Sequence, residues 1–209
     1  MAPNRINGLI LESLEHERGG VEVYETALQC VLNKDLKAEW TKYLDETREH
    51  IRHLENVCEA LELDPEKQTP GRPIVKQLGK SLVDAMKTAL AQAPRADAEL
   101  VACECVVIAE TKDHLNWELL SAIAEDRDAP EALKEACTEV EDQEDEHLYH
   151  SKGWCRELWL QALGKKAVLP PPEERKHVKT AIGAARAEQE RESMIGKKPP
   201  PKEKGEGAH

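Results

Sequence analysis

Glu144-Asp-Glu-His147-Leu-Tyr-His150 and Thr47-Arg-Glu-His50-Ile-Arg-His53 are the two stretches that decide the fold of this chain. In each stretch a histidine is followed by a second histidine one helical turn later, and then by a cysteine and a leucine at matching distances. A lone glutamate precedes each stretch, Glu17 the first and Glu110 the second. The two halves of the chain therefore carry the same polar pattern in the same order.

Apolar residues around these stretches recur every three or four positions, which is the spacing of one face of an α-helix. The longest unbroken series is Trp40, Leu44, Thr47, Ile51, Leu54, Cys58 and Leu61. No segment alternates apolar and polar residues as a strand does, and the sequence contains no phenylalanine. We therefore predict an all-α protein.

Turn and cap signals divide the chain into four long helices and one short helix. We expect helices over residues 5–32, from an N-cap at Asp35 to just before Asp64-Pro65, over residues 74–92, from Ala93-Pro94 to residue 125, and from Asp128-Ala-Pro-Glu131 to Leu163-Gly164. In the short helix we expect Ile74, Leu78, Leu82, Ala85, Met86, Ala89 and Leu90 to share the buried face. Two antiparallel helical hairpins, joined by a long crossover that contains the short helix, make a four-helix bundle.

The pattern predicts one helical domain over residues 1–164. Residues 165–209 are rich in Pro, Lys and Glu, and we interpret them as a flexible tail with one possible short helix over about residues 174–195.

Composition excludes several classes of function. The 209 residues carry a formal net charge of −12, which argues against nucleic acid as a partner. No apolar run is long enough to span a membrane, and the N-terminus lacks the apolar segment of a signal peptide. A cytoplasmic location follows as the expectation, and the six cysteines are then expected to be reduced thiols with structural roles.

Helical phase places three glutamates in the middle of apolar stripes, where most acidic residues of a helix would not be found. Glu17, Glu110 and Glu144 each interrupt such a stripe, with His50 and His147 beside them. Chance Glu-x-x-His pairs are common in an acidic chain, but a buried carboxylate without a cation costs several kcal/mol. No Lys or Arg lies on these stripes at that level, so the five residues indicate a metal site in the bundle core.

Four further residues are weaker candidates for this site. His53 and His150 lie one turn beyond the proposed ligands, where a surface position or a supporting contact is the favoured interpretation. His114, one turn after Glu110, is an even choice between ligand and non-ligand. Glu46 lies further round the helix and is less well aimed. Helical phase turns Glu146 toward water, and packing is the favoured role of Tyr24 and Trp117.

The stretch Tyr43-Leu-Asp-Glu-Thr-Arg-Glu-His50-Ile-Arg-His53-Leu-Glu resembles the second helix of the bacterial stress-associated ferritin-like family, and the chain is similar to the ferritin-like superfamily over residues 5–163. The resemblance implies a dinuclear iron or manganese site bridged by carboxylates. It assigns Glu17, His50, Glu110, Glu144 and His147 as ligands. Thr47 departs from the pattern, which has a glutamate there, and Glu46 is the nearest substitute; a single-metal or asymmetric site is therefore an alternative.

Three functions remain open from the sequence. The leading hypothesis is a metalloprotein, holding two iron ions or manganese, that reacts ferrous iron with oxygen or peroxide in iron handling or oxidative stress. The same site could instead make the protein an oxidoreductase acting on a small organic substrate. The third alternative is a bundle impaired in metal binding that acts by binding a partner. A monomer or homodimer is expected in preference to a large cage.

Overall fold

The computed structural model describes residues 3–165, which form five helices and no strand. The helices are α1 (Pro3–Cys30), α2 (Lys34–Ala60), α3 (Arg72–Gln92), α4 (Arg95–Ala124) and α5 (Glu131–Ala162). The all-helical prediction is confirmed, and each predicted helix is present within a few residues of its expected bounds. The predicted tail, with its possible short helix, lies outside the described residues apart from Lys165.

The turn between α1 and α2 corrects the predicted helix cap. Asn33, not Asp35, is the N-cap of α2, because the Asn33 side chain accepts hydrogen bonds from the backbone N–H groups of Asp35 and Leu36. Asp35 lies in the first turn of the helix, where its negative charge interacts favourably with the helix dipole. The carboxylate of Glu99 accepts hydrogen bonds from the backbone N–H groups of Leu32 and Asn33, which fixes this turn against α4.

The end of α5 agrees with the predicted termination signal. Gly164 adopts a positive φ of 66°, a left-handed conformation that glycine reaches without steric cost. The backbone N–H of Lys165 then donates to the Leu160 carbonyl, and that of Gly164 donates to the Gln161 carbonyl. These two hydrogen bonds satisfy carbonyl groups that the end of the helix leaves without partners.

The four long helices form a closed bundle in which α1 packs on α2 and α4, and α5 packs on α2 and α4. The short helix α3 covers the side formed by α1 and α4. The buried residues of α3 include Val75, Val83 and Met86, whereas Ile74 and Leu78 are exposed. The predicted buried face of α3 is therefore wrong at Ile74, Leu78 and Ala85, which are exposed. The side of α3 that contacts α1 and α4 runs through Val75, Val83 and Met86 instead.

Two apolar clusters fill the interior of the bundle, one toward each end. The first includes Tyr24, Trp40 and Trp154, and the second includes Leu14 and Trp117. Each long helix contributes to both clusters, and between its two contributions it carries buried polar residues. A polar layer therefore crosses the middle of the bundle, enclosed by apolar side chains above and below. None of the helices over residues 3–165 is long and apolar enough to cross a membrane.

The crossover between α2 and α3 is held to α1 by the buried side chain of Arg72. Its guanidinium donates to the Glu15 carboxylate at 2.7 and 3.1 Å and to the backbone carbonyls of Pro65 and Lys67 at 2.7 and 2.9 Å. Since a planar guanidinium can satisfy several acceptors at once, this one side chain fixes the crossover that positions α3.

Replacing Arg72 with alanine should destabilise the fold. We expect Arg72→Ala to lower the free energy of unfolding by about 3 kcal/mol, because it leaves the mostly buried Glu15 carboxylate without its main partner. Lys76→Ala is the matched control, since Lys76 approaches the same carboxylate at 3.8 Å from an exposed position. Urea denaturation of the two variants makes the comparison, and equal small losses would show that Arg72 does not hold the crossover.

Candidate metal centre

The polar layer contains the five residues that the sequence assigns to a metal site. Glu17 comes from α1, His50 from α2, Glu110 from α4, and Glu144 and His147 from α5, and all five are buried. The prediction that the three glutamates face the core is confirmed. Their ligand atoms form two groups that could each hold a metal ion, Glu17–His50–Glu144 and Glu110–Glu144–His147.

The first group joins three helices. Nδ1 of His50 lies 3.4 Å from Oε1 of Glu17 and 3.1 Å from Oε1 of Glu144. The second group uses the same oxygen, since Nδ1 of His147 lies 3.5 Å from Oε1 of Glu144 and 3.6 Å from Oε2 of Glu110. Glu144 is therefore common to both groups, while each group has one glutamate and one histidine of its own.

The spacing of these atoms fits a shared cation. Two ligand atoms that each lie about 2.1 Å from one ion at a right angle are about 3.0 Å apart. The separations of 3.1–3.6 Å are close to that value. Both oxygens of Glu144, one oxygen each of Glu17 and Glu110, and Nδ1 of His50 are buried without a hydrogen-bond partner among the described residues. Buried polar atoms are rarely left this way, so the donor set fits metal binding.

The other nitrogen of each imidazole is held by the opposite helix. Nε2 of His147, on α5, lies 3.0 Å from Oε2 of Glu46 on α2. Nε2 of His50, on α2, lies 2.8 Å from Oε1 of Gln143 on α5. When Nε2–H donates to these oxygens, the lone pair of Nδ1 points toward the carboxylates of the two groups, as a metal ligand requires. We call the residues of the two groups together the cluster; they are Glu17, His50, Glu110, Glu144 and His147. Glu46 thus supports His147 from behind and forms an ion pair with Lys42.

Two aromatic residues lie beside the glutamates, and each belongs to a different helix from the glutamate that it approaches. Trp117 of α4 donates from Nε1 to Oε1 of Glu17 on α1 at 2.7 Å. Tyr24 of α1 lies near Glu110 of α4, and burial and then the charge of Glu110 raise the pKa of the Tyr24 hydroxyl well above its usual value. The tyrosine and the tryptophan occupy equivalent places in the two halves of the chain, seven residues after each glutamate.

The remaining candidates lie outside the two groups. His114 is paired with Asp145, with Nε2 at 2.7 Å from Oδ1, and His53 lies 3.2 Å from Oε2 of Glu139. His150 is buried beneath the cluster, where Nδ1 lies 2.9 Å from the hydroxyl of Tyr43.

Tyr43 and Glu146 lie next to the cluster, and each makes a contact with a neighbouring side chain. The ring of Tyr43 in turn packs on the ring of His147, with centroids 4.3 Å apart. Glu146 is one-third exposed and its carboxylate forms an ion pair with Lys42 at 2.9 Å. It takes no part in either group, as its helical phase predicts.

Thr47 occupies the position at which the second half has Glu144. Its hydroxyl donates to the backbone carbonyl of Tyr43 at 2.8 Å, and its methyl group lies against Gly20. The threonine is buried but is not among the atoms of either group. The cluster therefore has one central carboxylate, from α5, and none from the equivalent position of α2.

The pKa values of the three carboxylates of the cluster are shifted in different directions. Burial would raise the pKa of Glu144, but the nearby imidazoles of His147 and His50 outweigh it and lower the pKa to about 2. Burial raises the pKa of Glu17 and of Glu110 above the usual value despite the opposing histidines. Burial lowers the pKa of His50, but the charges of Glu17 and Glu144 outweigh that effect and raise it to about 10. Without a metal, protonated imidazoles are the counter-charges of the layer.

Asp113 and Gln143 are residues at this layer that the sequence analysis missed. Asp113 follows Glu110 by one helical turn and is 4% exposed. Its helical phase was available from the sequence, but a Lys-Asp-His run has the appearance of a solvated helix face. Gln143 lies where Glu46 stands in the other half, and the repeat itself was the signal that could have found it.

Comparison with known proteins assigns the chain to no family. The chain matches no protein-family model, no characterised protein sequence and no solved structure.

Metal-free protein should lose stability as the pH rises from neutrality. The pKa of His50 in the folded protein, about 10, lies above the ordinary 6.5, so its contribution is complete below pH 6.5 and is lost as the pH rises through 10. The raised pKa values of Glu17 and Glu110 also make stability fall with rising pH, but that fall begins at their ordinary value of 4.5. Melting temperatures of chelator-treated protein between pH 6.5 and 10 should fall steadily.

His50→Gln should flatten this decline, whereas His53→Gln, at the edge of the bundle, should leave it unchanged. A melting temperature that is constant over this range in the wild type would contradict the assigned charges.

Proposed function

We propose that this chain is a ferritin-like metalloprotein that holds a dinuclear iron or manganese site in its core and reacts ferrous iron with oxygen or peroxide. The observation that carries the proposal is the sharing of Glu144 between two groups, each completed by one further glutamate and one histidine. A carboxylate between two sets of ligands is the arrangement by which a four-helix bundle bridges two ions.

The charge of the layer supports the metal part of this proposal. Glu17, Glu110 and Glu144 make no ion pair with any Lys or Arg over residues 3–165; the basic groups of those residues that lie within ion-pair distance of them are His50 and His147. A buried carboxylate is strongly destabilising unless a cation or several hydrogen bonds compensate it. Divalent ions at the two groups supply that compensation and leave the imidazoles neutral, as ligation requires.

The donor atoms favour iron or manganese. Three carboxylates and two imidazoles form a mixed oxygen and nitrogen set, without the thiolates that select softer metals. Iron held by these residues would supply the electrons for the reduction of oxygen or peroxide. The chain's own contribution is to orient the ligands through Trp117, Glu46 and Gln143, and to keep bulk water out with the apolar clusters on both sides.

The order of the helices supports the ferritin-like assignment. Ligands come from α1, α2, α4 and α5 in the order Glu, His, Glu, Glu-x-x-His, and α3 lies within the crossover between the two hairpins. That is the ligand order of ferritin-like bundles, with Thr47 replacing one glutamate.

Metal binding should depend on Glu144 and not on its neighbour. Titration of chelator-treated protein with Mn²⁺ or with Fe²⁺ under anaerobic conditions should show saturable binding of one to two ions per chain. Glu144→Ala should abolish it at both groups, because both lose their common oxygen. Glu146 is a partly exposed carboxylate two residues away, so the Glu146→Ala variant should bind metal as the wild type does. Equal binding by the two variants would mean that the cluster does not hold the metal.

The proposed reaction is tested by oxygen consumption. Wild-type protein loaded with Fe²⁺ should consume oxygen faster than free Fe²⁺ at the same concentration and pH, with no organic substrate added. Glu144→Ala should react at the rate of free Fe²⁺. If the wild type binds iron and yet consumes no oxygen or peroxide, the proposed oxidation reaction is contradicted and the proposed metal site is not.

A further inference from the structure

Asp113 lies beside the metal cluster, on the part of α4 that faces it. Glu110 stands one turn before Asp113 and belongs to the cluster, and Trp117 stands one turn after it and donates to Glu17. Residues three and four apart are neighbours on one face of a helix. Asp113 therefore occupies the helix surface between two residues that both reach the cluster, about 4.5 Å along the axis from Glu110.

The Asp113 carboxyl group is buried and forms no ion pair with a residue of the described part of the chain, residues 3–165. It is 4% exposed, and its buried Oδ1 has no hydrogen-bond partner among residues 3–165. Burial, and next the charges of Glu144, Glu17 and Glu110, raise its pKa well above the usual value, so all three cluster glutamates are close enough to act on it. The adjacent Lys112 opposes this shift only weakly, and its ammonium group is bound to Asn116.

A charge count shows what such a group would contribute. Two divalent ions bring four positive charges, and Glu17, Glu110 and Glu144 bring three negative charges when the imidazoles are neutral. Thr47 stands where a fourth carboxylate is expected, and it uses its hydroxyl on the backbone of its own helix. Glu46 does not fill the gap, because one of its oxygens contacts Lys42 and the other contacts Nε2 of His147, on the side of the imidazole away from the cluster. Three carboxylates thus leave one positive charge in a buried layer.

We propose that Asp113 supplies the fourth negative charge of the dinuclear site and so compensates for Thr47 on the opposite side of the cluster. This inference rests on the proposed metal function and deepens it. With metal bound, the ionised carboxylate of Asp113 would add its negative charge to those of the three glutamates. In the metal-free protein the same group is a buried acid among like charges, which destabilises the fold.

The test is a double-mutant cycle between Asp113 and Thr47. Mn²⁺ titrations are compared for the wild type, Asp113→Asn, Thr47→Glu and the double variant, with melting temperatures measured with and without Mn²⁺. Asp113→Asn should weaken binding of the second ion by about 10- to 100-fold, the usual effect of removing a supporting group at a metal site. Thr47→Glu in the same chain should restore that affinity, since it places a carboxylate at the centre of the cluster.

Asp113→Asn should also leave the melting temperature of metal-free protein unchanged or higher, because the amide replaces an uncompensated acid. Asp145→Asn is the matched control. It removes another buried aspartate of the bundle, but one that is already paired with His114, so Mn²⁺ affinity should stay close to that of the wild type.

Three outcomes overturn the inference. Wild-type stoichiometry and affinity in Asp113→Asn would show that the ions do not need this charge. A lower melting temperature without metal, with no rescue of binding by Thr47→Glu, would make Asp113 a structural residue only. If the wild type binds no Mn²⁺, the proposed metal function fails together with this inference. If Glu144→Ala loses Mn²⁺ binding and Asp113→Asn does not, the metal function stands and only this inference fails.

Discussion

The carboxylate of Glu144 is the group around which the polar layer is arranged, because one of its oxygens approaches histidines from two different helices. Burying an ionised carboxylate at the centre of a bundle is possible only when positive charge is brought to it. His50 and His147 can bring it as imidazolium, or metal ions can bring it while the imidazoles act as neutral ligands. In both states the same three side chains join α2 to α5, and the other contacts of the layer serve to hold them in place.

The apolar clusters on either side explain how such a layer persists. Each long helix contributes apolar side chains both above and below the polar residues, so the helices cannot separate at the middle without also exposing an end of the core. Burial of large side chains such as Trp40 and Leu14 contributes about 1.5–3 kcal/mol each. The length of the helices is thus part of the site, since shorter helices could not hold apolar contacts at both ends.

Much of this arrangement was predictable from spacing alone. A three- and four-residue period placed the five helices, and the phase of Glu17, Glu110 and Glu144 placed them in the core, because both depend only on local helical geometry. The repeat places Gln143 and Glu46 at equivalent positions, but the contacts of these two side chains with the histidines depend on how α2 and α5 are rotated against each other, which local helical geometry does not determine. The predicted buried face of α3 was partly wrong for the same reason, since the rotation of α3 against α1 and α4 buries Val75 and leaves Ile74 exposed.

The two halves of the layer are alike in their ligands and different in what supports the ligands. His147 donates to a carboxylate, Glu46, whereas His50 donates to the neutral amide of Gln143. A carboxylate partner makes an imidazole the more basic ligand, so the group containing His147 is the stronger donor set. The same group is the one whose helix, α5, supplies Glu144, while α2 has Thr47. The differences between the repeats therefore point in one direction: equivalent side chains sit in unequal surroundings, and a cation held by both groups would be bound more strongly by the group that contains His147.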